Sequence, residues 1–139
     1  MMLHQATAVA IDGRAMLIEG PPGSGKSSLA LALIDRGATL IGDDGVALEA
    51  AGEHLLASPA PRIAGLLEVR NVGLLRYPVA RGVPVALVIR LDRAAERLPE
   101  HAALQTLLGL DLPLVCLWPD SPVLPLRALA ALSRFGLAS

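Results

Sequence analysis

Apolar and polar residues alternate in short runs along most of the chain, and a helical period takes over in two places. Thr7–Ile11 and Arg14–Glu19 flank Asp12-Gly13, a dipeptide suited to the positive-φ positions of a tight turn, and so predict a hairpin. Gly20–Gly25 is a loop rich in glycine and proline. Ser27–Arg36 then predicts a helix, with Gly37 placed to end it. Thr39–Ile41 reads as a short strand stopped by Gly42-Asp43-Asp44-Gly45, and Val46–Glu49 with His54–Ala57 as a second hairpin around Ala51-Gly52. Beyond the Pro59–Pro61 break, Leu66–Val69, Pro84–Leu91 and Leu114–Trp118 predict strands, and Leu124–Phe135 a terminal helix. A strand–helix–strand unit set among antiparallel strands predicts an α/β fold, with residues 1–139 forming a single domain.

Composition narrows the function classes. Hydrophobic residues make up 53% and charged residues 18%, which argues for a packed core and against disorder. Twelve basic against thirteen acidic residues offer no polycationic surface, and three aromatics offer no stacking platform, so nucleic acid is not an expected partner. No apolar run approaches the ~18 residues of a membrane span, and the N-terminus carries no basic-then-apolar leader. Cys116 is the sole cysteine, which excludes an internal disulfide or a cysteine-built zinc site and makes a reducing, cytoplasmic setting the expectation.

The chemistry starts at the loop. Gly20-Pro21-Pro22-Gly23-Ser24-Gly25-Lys26-Ser27 fits G-x-x-x-x-G-K-[ST], with a strand before it and a helix after it. Such a P-loop turns backbone N–H groups towards phosphate oxygens at the positive end of the helix dipole. Lys26 would neutralise the β/γ-phosphates of ATP, and Ser27 would supply an oxygen to Mg²⁺. The fold expected is therefore a P-loop NTPase-like core with added antiparallel strands and a C-terminal helix.

Other residues gain meaning from the loop. A parallel crossover brings Asp43 and Asp44 to the same sheet edge, where one carboxylate could hold Mg²⁺ and the other accept a proton. Extending the first hairpin backwards sets His4 opposite Pro21, beside the phosphate loop. Strand alternation puts Glu68 and Arg70 on one face, with Leu67 and Val69 on the other. Arg76, Arg81, Arg90, Arg93 and Arg97 carry no pattern of their own. His54 and His101 read as surface or edge residues, and Cys116 and Trp118 as core.

Taken together, His4, the loop ending in Lys26-Ser27, Gly42-Asp43-Asp44-Gly45-Val46 and the LExRGxGI-like stretch Leu67–Arg76 resemble the catalytic domain of HPr kinase/phosphorylase. The resemblance is strong to about Arg76 and weak beyond it. It implies an ATP- and Mg²⁺-dependent protein kinase that phosphorylates a serine of the phosphocarrier HPr or an HPr-like protein, regulating sugar or nitrogen phosphotransferase signalling, and assembling as a hexamer. It also implies that His4 is catalytic, that Asp43 is the proton acceptor, that Ser27 and Glu68 ligate Mg²⁺, and that Arg97 stabilises charge. Asp44 is then the carboxylate left for the metal. The chain departs from the family in three respects. It resembles compact versions without the N-terminal domain, Ser28 stands where a glutamate is usual, and Leu112–Pro122 lacks the family's basic loop. Without that loop, weak or absent reverse phosphorylase activity is expected, because phosphate attack on phosphoserine brings two anions together. A small-molecule kinase or NTPase and a non-catalytic nucleotide sensor are the alternatives.

Overall fold

A computed structural model describes residues 1–138. Its elements in chain order are β1 (Met2–His4), β2 (Thr7–Ile11), β3 (Arg14–Glu19), α1 (Lys26–Asp35), β4 (Thr39–Gly42), β5 (Val46–Ala51), β6 (His54–Pro59), β7 (Leu66–Val69), β8 (Gly73–Arg76), β9 (Val83–Leu91), β10 (Ala103–Leu107), β11 (Leu110–Leu117) and α2 (Leu124–Phe135). The α/β architecture and the P-loop-like core match the expectation. Among the described residues no helix is long and apolar enough to cross a membrane.

One curled, mixed sheet organises the molecule, in the order β1-β5-β6-β9-β3-β2-β4. β9 is its hub. One edge of β9 pairs in parallel with β3, while the other edge meets β6 near Val83-Pro84 and then β11 at Val88–Leu91. Alternation along β3 explains its place between two cores. Met16 and Ile18 face the cluster beneath the helices, whereas Ala15 and Leu17 face the cluster enclosed by the curl of the sheet. β2 pairs antiparallel with both β3 and β4, so β4 runs parallel to β3 with β2 between them. The β3–α1–β4 crossover thus delivers the ends of β3 and β4 to one sheet edge.

α1 buries Leu29, Ala30 and Leu33 against the sheet. It ends as its glycine predicts. Gly37, at φ 101, donates its N–H to the Ile34 carbonyl, and Ala38 donates to Leu33, the paired bonds of a left-handed helix stop. α2 buries Leu124, Ala128, Ala131 and Leu132, an apolar stripe that packs on β9 and β11. Burial of each such leucine contributes about 1.5–3 kcal/mol.

The structure departs from the sequence-based reading in four places. β1 does not extend the first hairpin; it crosses to pair with β5, His4 lying opposite Val46. The second hairpin turns at Gly52-Glu53, one residue later than expected, because Ala51 pairs with His54. β8 and β10 are additional strands whose residues are largely exposed, so their alternation carries little core signal. Trp118 is not a core residue: it is 38% exposed, its Nε1–H donates to the Ala95 carbonyl at 2.8 Å, and the Arg127 guanidinium lies 5.7 Å from its ring centroid.

Candidate active site

β3 runs straight into the loop Gly20–Gly25, and α1 starts at Lys26. Gly20 has no room for a side chain: a Cβ there would lie 2.6 Å from Ser24 Oγ and 3.3 Å from Leu91 Cβ. That close approach folds the loop back over the end of β3. Within the loop Ser24 donates its N–H to the Pro21 carbonyl at 3.1 Å. The N–H groups of Gly23, Gly25, Lys26 and Ser27 donate to no described residue. Four donors at the positive end of α1 therefore lack a protein acceptor. Ser24 Oγ is likewise buried, with no partner among the described residues. Lys26 curls over the loop, its Nζ donating to the Gly20 carbonyl at 2.8 Å and, more weakly, to Pro21 at 3.4 Å.

The sheet edge brings Asp43 to the first turn of α1. Its Oδ1 accepts the Ser27 hydroxyl at 2.6 Å and the Thr7 hydroxyl at 3.0 Å, and its Oδ2 accepts the Glu68 N–H at 3.0 Å. Thr7, fully buried at the start of β2, also accepts the Asp44 N–H at 3.2 Å. This bond steadies Asp44 in a left-handed conformation, φ 59. The Asp44 carboxylate itself makes no hydrogen bond among the described residues and is exposed. Asp43, Asp44, Lys26, Ser27, Glu68 and Arg70 line one hollow of about 240 Å³ beside the loop. Leu67 is fully buried beneath this wall and Glu68 is exposed, as the alternation predicts.

The other flank of the loop opens on a larger cleft of about 830 Å³, within the range of small-molecule sites. His4, Glu19, Arg90, Asp92, Arg93 and Gln105 contribute to its walls, with Gly20–Ser24 as the near side. His4 therefore reaches the loop as expected, but through β1 rather than by extension of the hairpin. Its Nε2 lies 2.8 Å from Glu19 Oε2, at hydrogen-bond distance. Burial pushes the Glu19 carboxyl up, but hydrogen bonds from His4, Arg90 and Gln105 outweigh that and hold it below its ordinary value.

Arg97 is the site residue that the fold does not bring to the loop. It lies in a separate depression with Trp118, Arg127, Arg134 and Phe135. The chain leaves β9 at Asp92 and is tied down there: Ala95 donates to Asp92, Trp118 to Ala95, and Arg134 to the carbonyls of Pro99 and Glu100. Those contacts carry residues 95–100 towards α2 and away from the phosphate loop. Arg70 stands at the loop instead, its Nη2 4.0 Å from the Cβ position of Gly23. His54 and His101 are exposed, and burial with the nearby Asp92 pushes the Cys116 thiol up, the opposite of an activated nucleophile. Sequence reasoning missed Thr7, Arg70, Glu19, Arg90 and Gln105. Glu19 had a usable signal, an acid immediately before the first loop glycine.

Comparison with known proteins decides what this arrangement belongs to. Residues 2–132 match the family model described as the HPr Serine kinase C-terminal domain. The chain belongs to the HPr serine kinase C-terminal domain family. It is 38% identical over 113 residues to the HPr kinase/phosphorylase of Bordetella pertussis, covering 72% of this chain and 37% of that protein. It is 34% identical over 140 residues to that of Caldicellulosiruptor bescii, covering 91% of this chain and 44% of that protein. The chain thus spans less than half the length of these curated relatives. Its fold is similar to the Hpr(Ser) kinase/phosphatase structure from Coxiella burnetii, with TM-score 0.83 and 27% identity over 96% of this chain and 95% of that one.

The residues present fit a nucleotide with a hard cation. The unpaired loop amides, Lys26 and the orphan Ser24 hydroxyl suit phosphate oxygens. Among the described residues no three His, Cys, Asp or Glu side chains converge as a ready-made metal cage. Mg²⁺ does not need one, since it is commonly held by one or two carboxylates together with water and phosphate oxygens.

Proposed function

We propose that this domain is an ATP- and Mg²⁺-dependent protein serine kinase acting on HPr or an HPr-like carrier. The observation that carries the reading is the apposition of the donor-rich loop and Lys26 to an acidic wall, with Ser27 and Asp43 in direct contact. The loop amides and Lys26 would hold the phosphates, and Ser27 and Glu68 would hold Mg²⁺, which neutralises charge on the phosphate oxygens when bound.

We assign the two aspartates differently from the sequence-based expectation, and their hydrogen bonds support that reading. Asp43 accepts three donors, so both of its oxygens are already engaged by Thr7, Ser27 and the Glu68 N–H rather than free to meet a substrate hydroxyl. Its contact with Ser27 puts it on the metal side. Asp44 has its carboxylate open to the same hollow, so Asp44 is the proton acceptor for the serine hydroxyl and Asp43 the brace for Ser27. Arg70 takes the charge-stabilising role expected of Arg97, since it stands beside the loop on the side of the acidic hollow. His4 would act from the opposite flank.

The test is incubation with γ-labelled ATP, alone and with HPr. Label on an HPr serine is the expected result, whereas phosphate release without labelled HPr would leave an NTPase. Arg70 and Arg93 flank the loop and supply cations that Leu112–Pro122 lacks, so phosphoserine-HPr with phosphate should be run in parallel to measure the reverse direction.

A further inference from the structure

Glu19 ends β3 and directly precedes the first loop glycine, so no adjustable segment separates its side chain from the phosphate loop. Its side chain is 12% exposed, and donors from three other strands converge on it. His4 Nε2 of β1 lies 2.8 Å from Oε2, Gln105 of β10 donates to Oε2 at 3.0 Å, and Arg90 of β9 donates to Oε1 at 3.1 Å. Arg90 also donates to the side-chain Oε1 of Gln105 at 3.0 Å, closing the network. β9 places Arg90 beside Glu19 by parallel register, whereas β1 is the terminal strand of the path through β5 and β6, and β10 joins through β11. A carboxylate held by three donors has few positions open to it, and it holds its partners equally firmly.

The consequence falls on the imidazole. An ionised carboxylate only accepts, so the nitrogen facing it must carry a proton. In the neutral ring that leaves Nδ1 as an acceptor, and it is unpaired among the described residues. We infer that Glu19 is a positioning residue that selects the Nε2–H tautomer of His4 and holds the ring against the phosphate loop, leaving Nδ1 as the working atom in the cleft. The catalytic consequence rests on the proposed kinase reading; the tautomer assignment does not.

The experiment uses the whole chain with ¹⁵N-labelled histidine. Long-range ¹H–¹⁵N spectra are recorded at about pH 8.5, above the ordinary histidine range, and His4 is assigned by its loss in His4→Gln. The wild type should show Nε2 protonated and Nδ1 unprotonated, and Glu19→Gln should mix the tautomers. In the labelling assay Glu19→Gln should lower kcat about 10²-fold through misplacement of the ring, with KM for ATP little changed. Glu19→Asp draws the carboxylate back while keeping its charge, and should act in the same direction if the glutamine variant melts early. An Nδ1–H tautomer in the wild type, or an unchanged His4 signal in a folded variant, overturns the assignment. A changed tautomer with unchanged kcat overturns the positioning role. Absence of transfer by the wild type would count against the kinase reading alone, because the spectra still decide the tautomer.

Discussion

The two flanks of the phosphate loop are built on different principles. On the Asp43 flank, the ends of β3 and β4 and the first turn of α1 come together through one crossover, and the polar contacts all fall within the first half of the chain. On the Glu19 flank, β1, β3, β9 and β10 each contribute one side chain, and the bonds bridge as many as 86 positions. The first flank is a tight hollow of about 240 Å³ crowded with oxygens; the second is an open cleft of about 830 Å³ with charges of both signs. The contrast suggests separate duties. A cation and phosphates need close, pre-placed oxygens and amides, whereas a cleft with walls from distant strands has room for a larger partner.

The strongest way to break this comparison is Lys26→Ala. Phosphoryl transfer should fall at least about 10²–10³-fold, while the cooperative melt persists, because Lys26 bonds only loop carbonyls. Collapse of the melt would make Lys26 part of the scaffold.

The aspartates come next, and they should separate. Asp44→Asn should lower transfer about 10²–10⁴-fold and leave urea stability near the wild type. Asp43→Asn should cost stability, about 1–3 kcal/mol, since an amide N–H₂ must be turned towards one of three existing donors. The reverse pattern would return the proton acceptor to Asp43.

Glu68→Gln should be milder. It removes one anionic oxygen from the hollow, so the Mg²⁺ concentration for half-maximal activity should rise about tenfold with the plateau kept. A curve that loses height without shifting would take Glu68 out of the metal site.

The smallest effect on stability lies on the other flank. The Glu19 carboxyl is held below its ordinary 4.5, so its ionised form adds stability above that pH and loses it as the pH falls through the folded value. Glu19→Gln should therefore flatten the acid limb of a urea-stability profile while leaving its shape at neutral pH. Parallel acid limbs would mean that the network contributes nothing to folding.

Much of the Asp43 flank was legible in the sequence. The loop motif, the Asp12-Gly13 turn, the glycine stop of α1 and the apolar period of Leu124–Phe135 all express constraints that act within a few residues: allowed φ, capping bonds and the pitch of a helix. From them came the α/β class, the loop, and the proximity of Lys26, Ser27 and the aspartates. The division of labour proposed for Asp43 and Asp44 was not legible, because neighbours in sequence differ only in which lone pairs Thr7, Ser27 and Glu68 fill. Nor was the position of Arg70 at the loop and of Arg97 away from it, which depends on the hairpin of β7 and β8 and on the tethering of residues 95–100 beside α2. The same holds for the partners of Glu19. Strand pairing is specified by matching buried faces over long separations, and that register, which no local pattern encodes, alone decided that His4, Arg90 and Gln105 would meet one carboxylate.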